Sequence, residues 1–81
     1  MATFQLEFVS PEKLLLSRPV EMATLPAAEG EMGVLPGHAP MIVALRGGVI
    51  SVTENGLETE KLFVAGGFAE ITPSRVTILA D

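Results

Sequence analysis

The segment of residues 29–40 constrains the fold of this chain more than any other part of the sequence. It spells Glu-Gly-Glu-Met-Gly-Val-Leu-Pro-Gly-His-Ala-Pro and holds three of the eight glycines, two of the six prolines and the only histidine. Glycine costs about 1 kcal/mol and proline about 3 kcal/mol in a helix interior, so a helix is excluded here. Pro36 and Pro40 lack the N–H group that a central strand needs. We therefore predict an ordered loop around one short apolar piece, residues 32–35.

The composition of the chain excludes several classes of function. The 81 residues are enough for one domain, and the absence of cysteine excludes disulfides, thiol chemistry and thiolate zinc sites. The net charge of −5 and the lack of Trp and Tyr argue against a nucleic-acid partner. No apolar run approaches the roughly 20 residues of a membrane-spanning helix, and the first residues lack the features of a signal peptide. We therefore expect a cytoplasmic protein.

The hydropathy pattern predicts short β-strands along the whole chain. Apolar and polar residues alternate from Phe4 to Phe8, and turn residues recur roughly every 8 to 12 positions. Asn55-Gly56 is the strongest hairpin signal, because a type I′ turn needs positive φ at both central positions. The continuous apolar run of residues 41–45 predicts a strand that is buried on both faces.

A polar strand and the turn spacing complete the prediction of the fold. Glu58 and Glu60 stand two positions apart, so we expect both carboxylates on one solvated face of a strand. Like charges on such a face hinder pairing of an exposed edge with another chain. Together the patterns predict an all-β fold in which residues 1–81 form one domain. That domain is a small β-sandwich of about eight to ten short, mostly antiparallel strands.

Candidate catalytic and metal-binding residues are few. His38, Glu29 and Glu31 could form an acid–base or metal cluster, but the sequence shows no further group that would converge on the imidazole and the carboxylates to complete such a site. The serines have no nearby histidine–acid pattern, and the Gly-Gly pairs at 47–48 and 66–67 lack the spacing of a phosphate-binding loop. We therefore predict no catalytic residue, no metal site and no cofactor.

Recognition of another protein is the function that the central segment favours. Met32, Val34 and Leu35 would form a small apolar patch within a charged rim if they point outward. The alternative is that Met32 and Val34 point inward and belong to the core. A β-sandwich module that binds a small ligand or a carbohydrate also stays open, although the chain lacks the Trp and Tyr that sugar sites use. So does a small hydrolase, which the missing catalytic set disfavours.

Three motifs in the chain resemble one known family. Residues 29–40 resemble a segment of the epsilon subunit of F-type ATP synthases, which is called delta in mitochondria. Residues 63–71, Phe-Val-Ala-Gly-Gly-Phe-Ala-Glu-Ile, and residues 76–81, Val-Thr-Ile-Leu-Ala-Asp, match the same family in order and spacing. The resemblance spans the chain from about Phe4 to Asp81 and implies the N-terminal β-sandwich domain of that subunit. Typical members continue past this point into a helical hairpin that inhibits ATP hydrolysis in some of them, and we expect residues 1–81 to act in structural coupling without such an inhibitory arm.

The resemblance implies a non-catalytic subunit of the central stalk, the rotor of a proton-translocating F-type ATP synthase. In this family the sandwich binds the gamma subunit and rests on the c-ring, so that ion-driven rotation is coupled to ATP synthesis. By this likeness the c-ring interface would comprise Glu29, Gly30, Glu31, Met32, Gly33 and Val34, and the gamma-subunit interface would comprise Ser10, His38 and Val43. The resemblance also implies that the chain binds no nucleotide. If bacterial, it would lie peripherally at the cytoplasmic face of the inner (plasma) membrane, reaching the membrane only through the complex.

Overall fold

A computed structural model of the chain describes residues 2–81, and strands are the only regular secondary structure in that range. Each strand is five to eight residues long. In chain order the nine strands are β1 (Phe4–Val9), β2 (Leu14–Val20), β3 (Met22–Ala27), β4 (Gly30–Val34), β5 (Met41–Leu45), β6 (Gly48–Glu54), β7 (Leu57–Val64), β8 (Gly67–Ile71) and β9 (Arg75–Ala80).

The strands form one curled sheet with two layers. Strands β2, β1, β9, β8 and β5 lie side by side in the first layer, and β4, β3, β6 and β7 lie side by side in the second. The layers join at a corner between β5 and β3, where the single pair Ala27 and Leu45 links them. Within residues 2–81 only β1 and β9 pair in parallel, and the other pairs are antiparallel. The predicted all-β sandwich of eight to ten mostly antiparallel strands is confirmed.

The core lies between the two layers and is mainly aliphatic. Every second residue of β1 is buried, as expected for a strand with one face on the core and one outside. The largest fully buried side chains come from both layers: Leu6, Leu25, Ile50, Ile71, Ile78, Val20, Val34, Val52 and Val76. Burial of side chains from both layers in one cluster is what holds the layers face to face.

Strand β5 corrects one prediction, and the β6–β7 turn confirms another. Of the five residues in β5, only Leu45 is buried, while Met41, Ile42 and Ala44 are exposed. The prediction of a strand covered on both faces is therefore wrong, because no part of the described chain packs on the outer face of the first layer. Asn55 and Gly56 have φ of 54° and 76°, which confirms the predicted type I′ turn.

The segment of residues 29–40 is a short strand followed by a loop, rather than a loop throughout. Among the described strands β4 pairs only with β3, so it is an edge strand, and Pro36 and Pro40 lie beyond its end at Val34. Glu29 lies in the turn before β4, and residues 35–40 form the loop between β4 and β5. The N–H of Gly37 donates to the carbonyl of Pro73 at 2.8 Å, which ties this loop to the β8–β9 turn.

Candidate functional site

A row of apolar side chains crosses the outer face of the first layer. It follows the strand register from β2 to β5, since each member pairs with the next across neighbouring strands. Its members, named here the apolar row, are Leu14, Val9, Leu79, Phe68 and Ala44. Four interstrand spacings of about 4.8 Å make the row about 19 Å long. Leu14, Leu79 and Phe68 are about half exposed, at 55%, 47% and 54%.

The residues beside the apolar row are mostly polar. The adjacent register row on the same face contains Ser17, Glu7, Thr77 and Glu70, and it ends at the exposed Ile42. The guanidinium of Arg75 lies 3.6 Å from the carboxylate of Glu7, so the charges on this side partly compensate one another. An apolar strip beside a polar border is the usual composition of a protein-recognition surface.

A second feature, the acidic hairpin, lies at the Ala44 end of the apolar row. It comprises the last residue of β3, the turn of residues 28–29 and strand β4. The N–H of Ala28 donates to the carbonyl of Ala44 at 2.9 Å, so the hairpin tip and the row are in direct contact. Gly30 has φ of 138°, which lets the chain turn sharply out of the tip and places Glu29 and Glu31 in solvent.

The predicted c-ring residues divide between the surface and the core. Glu29, Glu31 and Gly33 are exposed, and Gly30 is half-buried. The side chain of Met32 is half-buried and packs against the core, and that of Val34 is fully buried. Of the two alternatives left open by the sequence, the inward one is therefore observed for Met32 and Val34, because alternate residues of a strand face opposite sides and these two share the inner side. Leu35, beyond the strand, is exposed as expected.

The three residues predicted to face a gamma subunit do not form one patch. Ser10 follows Val9 at the end of β1, where its hydroxyl donates to the carbonyl of Lys13 at 3.2 Å. His38 lies in the loop at the opposite end of the first layer, and its Nδ1 is 2.8 Å from the carbonyl oxygen of Ala39. Val43 is half-buried and packs against the core. Only Ser10 therefore adjoins the apolar row.

Sequence reasoning missed Phe68, Leu79 and Leu14, which are the large side chains of the apolar row. Each is a single outward apolar residue in a strand, and a solitary exposed apolar residue is common on protein surfaces. They line up only because β2, β1, β9 and β8 are neighbours in that order. The one local signal was the apolar character of Phe68 and Leu79 at outward positions of β8 and β9. Both lie in segments 63–71 and 76–81, which resemble the family.

His38, Glu29 and Glu31 do not form a metal-binding cluster in the part of the chain that the structure describes. Residues 2–81 hold no group of three His, Cys, Asp or Glu side chains placed to bind a metal ion. The carboxylates of Glu29 and Glu31 take part in none of the salt bridges within this range. Over the same residues the chain has no helix that could cross a membrane.

Comparison with known proteins identifies the family. Residues 3–81 match the family described as the ATP synthase delta/epsilon chain, beta-sandwich domain. The chain belongs to this family. The ATP synthase epsilon chain of Granulibacter bethesdensis is 68% identical over 81 residues, which are all of this chain and 60% of that protein. The epsilon chain of Gluconacetobacter diazotrophicus is 51% identical over all of this chain and 57% of its own length.

Solved structures agree with the membership of this chain in the ATP synthase delta/epsilon family. A chain of the Euglena gracilis mitochondrial ATP synthase, solved as an OSCP/F1/c-ring assembly, superposes with a TM-score of 0.89 at 30% identity. The match covers 99% of this chain and 51% of that one. A chain from the central stalk and c-ring of the Tetrahymena thermophila enzyme shares the fold, with a TM-score of 0.77 at 13% identity. This chain thus spans about half to 60% of the proteins it matches.

Proposed function

We propose that the chain is a non-catalytic part of the ATP synthase central stalk that docks on the gamma subunit and on the c-ring. In this role it turns with both and couples ion-driven rotation to ATP synthesis, peripherally at the cytoplasmic face of a bacterial plasma membrane. Family membership and the Euglena gracilis match support the placement within the complex. The observation that carries the docking proposal is the apolar row on an otherwise solvated sheet face.

The apolar row suits the gamma subunit better than the residues chosen from the sequence. Burial of a large apolar side chain contributes about 1.5–3 kcal/mol, and Phe68, Leu79 and Leu14 lie within one contiguous strip. A few central anchors usually carry most of the binding energy of an interface, and Phe68 is the only aromatic side chain in the row. We therefore assign the gamma contact to this face, with Ser10 at its border.

The acidic hairpin suits the c-ring contact. Glu29 and Glu31 project at its tip without ion pairs in the described chain, so their charges are free to meet basic or amide groups on a partner. Charges of this kind set register and association rate more than affinity. We keep five of the c-ring residues expected from the resemblance in this contact, through either their side chains or their backbone groups: Glu29, Gly30, Glu31, Met32 and Gly33. Val34 supports the hairpin from within the core.

The test compares two exposed phenylalanines on opposite faces of the sandwich. Phe68→Ser removes the anchor of the apolar row, whereas Phe63→Ser removes a more exposed ring, at 78%, from the outer face of the second layer. Binding to purified gamma subunit is measured by calorimetry after circular dichroism has shown that each variant is folded. We expect Phe68→Ser to weaken binding at least about tenfold, which corresponds to about 1.4 kcal/mol, and Phe63→Ser to leave it unchanged.

Two results of this experiment would contradict the proposal. If the folded parent chain does not bind gamma at micromolar concentration, the stalk assignment fails and the ligand-binding alternative returns. If Phe63→Ser weakens binding and Phe68→Ser does not, gamma docks on the second layer. For the ring contact, Glu31→Lys should reduce co-purification with the intact c-ring, and Glu12→Lys, an exposed acid in the distant β1–β2 turn, should not.

A further inference from the structure

Strands β4 and β5 follow one another in the chain but do not pair. Strand β4 belongs to the second layer and β5 to the first, and the loop of residues 35–40 connects them. The gap between these strands is a surface groove of about 430 Å³, named here the β4–β5 groove. One end of the groove is bounded by the tip of the acidic hairpin, where the N–H of Ala28 donates a hydrogen bond to the carbonyl of Ala44.

Both walls of the β4–β5 groove carry unpaired backbone groups. In a two-residue hairpin the closing pair is hydrogen-bonded, so Gly30 and Met32 direct their N–H and C=O groups toward β3. Glu31 and Gly33 therefore direct theirs away from β3, at the open edge of β4, and Glu31 also lines the groove. On the opposite wall the carbonyl of Ala44 faces Ala28, so by the same alternation the backbone groups of Ile42 also face the groove. Open edges of this kind accept an added strand.

The side chains of the groove set the chemistry of an occupant. Its floor contains Met32 and Val43, which are half-buried and pack against the core. Its rim carries Glu29 and Glu31, and no Lys or Arg lines the groove. An added strand would direct alternate side chains to the floor and to the solvent side, because strand side chains have a period of two. The floor favours apolar side chains, and the rim favours cationic ones.

We propose that the β4–β5 groove binds an extended segment of a partner protein, as an added strand on the open edge of β4. The segment alternates apolar residues, which contact Met32 and Val43, with Lys or Arg, which contact Glu29 and Glu31. The site shares Glu29, Glu31 and Met32 with the proposed c-ring contact, but it goes beyond the proposed function, because that contact does not require an added strand on the open edge of β4. Main-chain bonds supply the affinity of such additions, and the alternate side chains supply the specificity.

The experiment uses a synthetic peptide as the probe. Acetylated and amidated Lys-Leu-Lys-Leu-Lys is titrated into the isotope-labelled chain, and amide hydrogen exchange is followed by NMR. We expect saturable binding and at least about tenfold slower exchange of the Glu31 and Gly33 amides, which lie on the open edge of β4 in the free protein. The Met32 amide should change little, because it is already bonded to β3. A peptide with Pro at its central position, which lacks the central N–H group, should bind at least about tenfold more weakly.

Charge variants test whether the acidic rim contributes to peptide binding. Glu31→Lys should weaken peptide binding, and Glu12→Lys, a charge reversal of the same size far from the groove, should not. The peptide Glu-Leu-Glu-Leu-Glu should not bind. Absence of binding by the basic peptide overturns the proposal, and so does binding without added protection of Glu31 and Gly33. Phe68→Ser should keep peptide binding while losing gamma, so failure of this proposal and failure of the gamma assignment are distinguishable.

Discussion

Replacement of Arg18 by methionine tests how the two layers are held together on the side away from the β5–β3 corner. Arg18 lies on the inner side of β2, an edge strand of the first layer, and reaches across to the second layer. Its Nη2 is 3.0 Å from Glu54 Oε1 and also contacts Glu60 Oε1. These three side chains, named here the Arg18 clamp, therefore link the free edge of β2 to β6 and β7. We expect Arg18→Met to lower the free energy of unfolding by about 1–2 kcal/mol.

The magnitude follows from the partial burial of the clamp. The side chains of Arg18, Glu54 and Glu60 are 34%, 29% and 32% exposed, so water still screens their charges. Exposed ion pairs contribute about 0–1 kcal/mol, whereas removal of one partner from a buried pair costs about 3–5 kcal/mol. One-third exposure places the clamp between these limits. Methionine keeps the apolar stem of the arginine, so the loss measures charge and hydrogen bonding rather than packing.

The assay is urea unfolding followed by far-UV circular dichroism, since the chain has neither Trp nor Tyr for fluorescence. With a urea m-value of about 1 kcal/mol/M for so small a domain, the midpoint should fall by about 1–2 M. The deficit should shrink in about 0.5 M salt, because the screening length then falls below about 5 Å. A cycle with Glu60→Gln should give a coupling energy of at least about 0.5 kcal/mol.

Arg75→Met is the matched control for this prediction. Arg75 is 58% exposed and its guanidinium lies 3.6 Å from Glu7, so its replacement should cost less than about 0.5 kcal/mol. The reasoning is refuted if Arg18→Met is as stable as the parent at low salt, or if its cost equals that of Arg75→Met. A cost that is unchanged by salt and uncoupled from Glu60 would also refute it, because the arginine would then act by packing alone.

The remaining predictions concern glycine and core positions, and urea unfolding checks each one. Gly67→Ala should cost at least about 3 kcal/mol, because φ is +128° and a Cβ there would collide with the backbone oxygen of Leu79. Gly56→Ala, with φ of +76° and open space around it, should cost only about 1 kcal/mol, and equal losses would contradict the collision argument. Val34→Ala should cost about 2 kcal/mol through a core cavity, whereas Leu35→Ala should cost less than about 0.5 kcal/mol. A larger loss for Leu35→Ala would contradict the burial assigned here.

Features set by adjacent residues were predictable from the sequence. Asn55-Gly56 specifies its turn through the backbone angles of two neighbouring residues, and the turn forms as predicted. The alternation in β1 needs only one covered face, and it predicted the buried side of that strand. Neither feature depends on which strand lies next to which, and this explains why local patterns sufficed.

Features set by strand register were not predictable. Glu58 and Glu60 were expected on one face, but the ladder shifts between Val52 and Thr53, so Thr59 is an extra residue in β7. The shift separates the two carboxylates: Glu60 turns to Arg18 across the sandwich, and Glu58 lies 3.8 Å from Lys61. The bulge depends on how β6 and β7 meet, which no periodicity in β7 alone contains.

The error over β5 and the failure to foresee the apolar row have one cause. A continuous apolar strand is typical of a sheet covered on both faces, and β5 has a core on its inner face only. Its outer residues Ile42 and Ala44 remain exposed, and Ala44 continues into Phe68 and Leu79 on the neighbouring strands. If gamma covers this face, the sequence of β5 is that of a doubly covered strand whose second cover is another subunit. The continuous apolar run of β5 would then be explained by its burial in the complex. Comparison of gamma binding by Phe68→Ser and Phe63→Ser tests whether gamma covers this face.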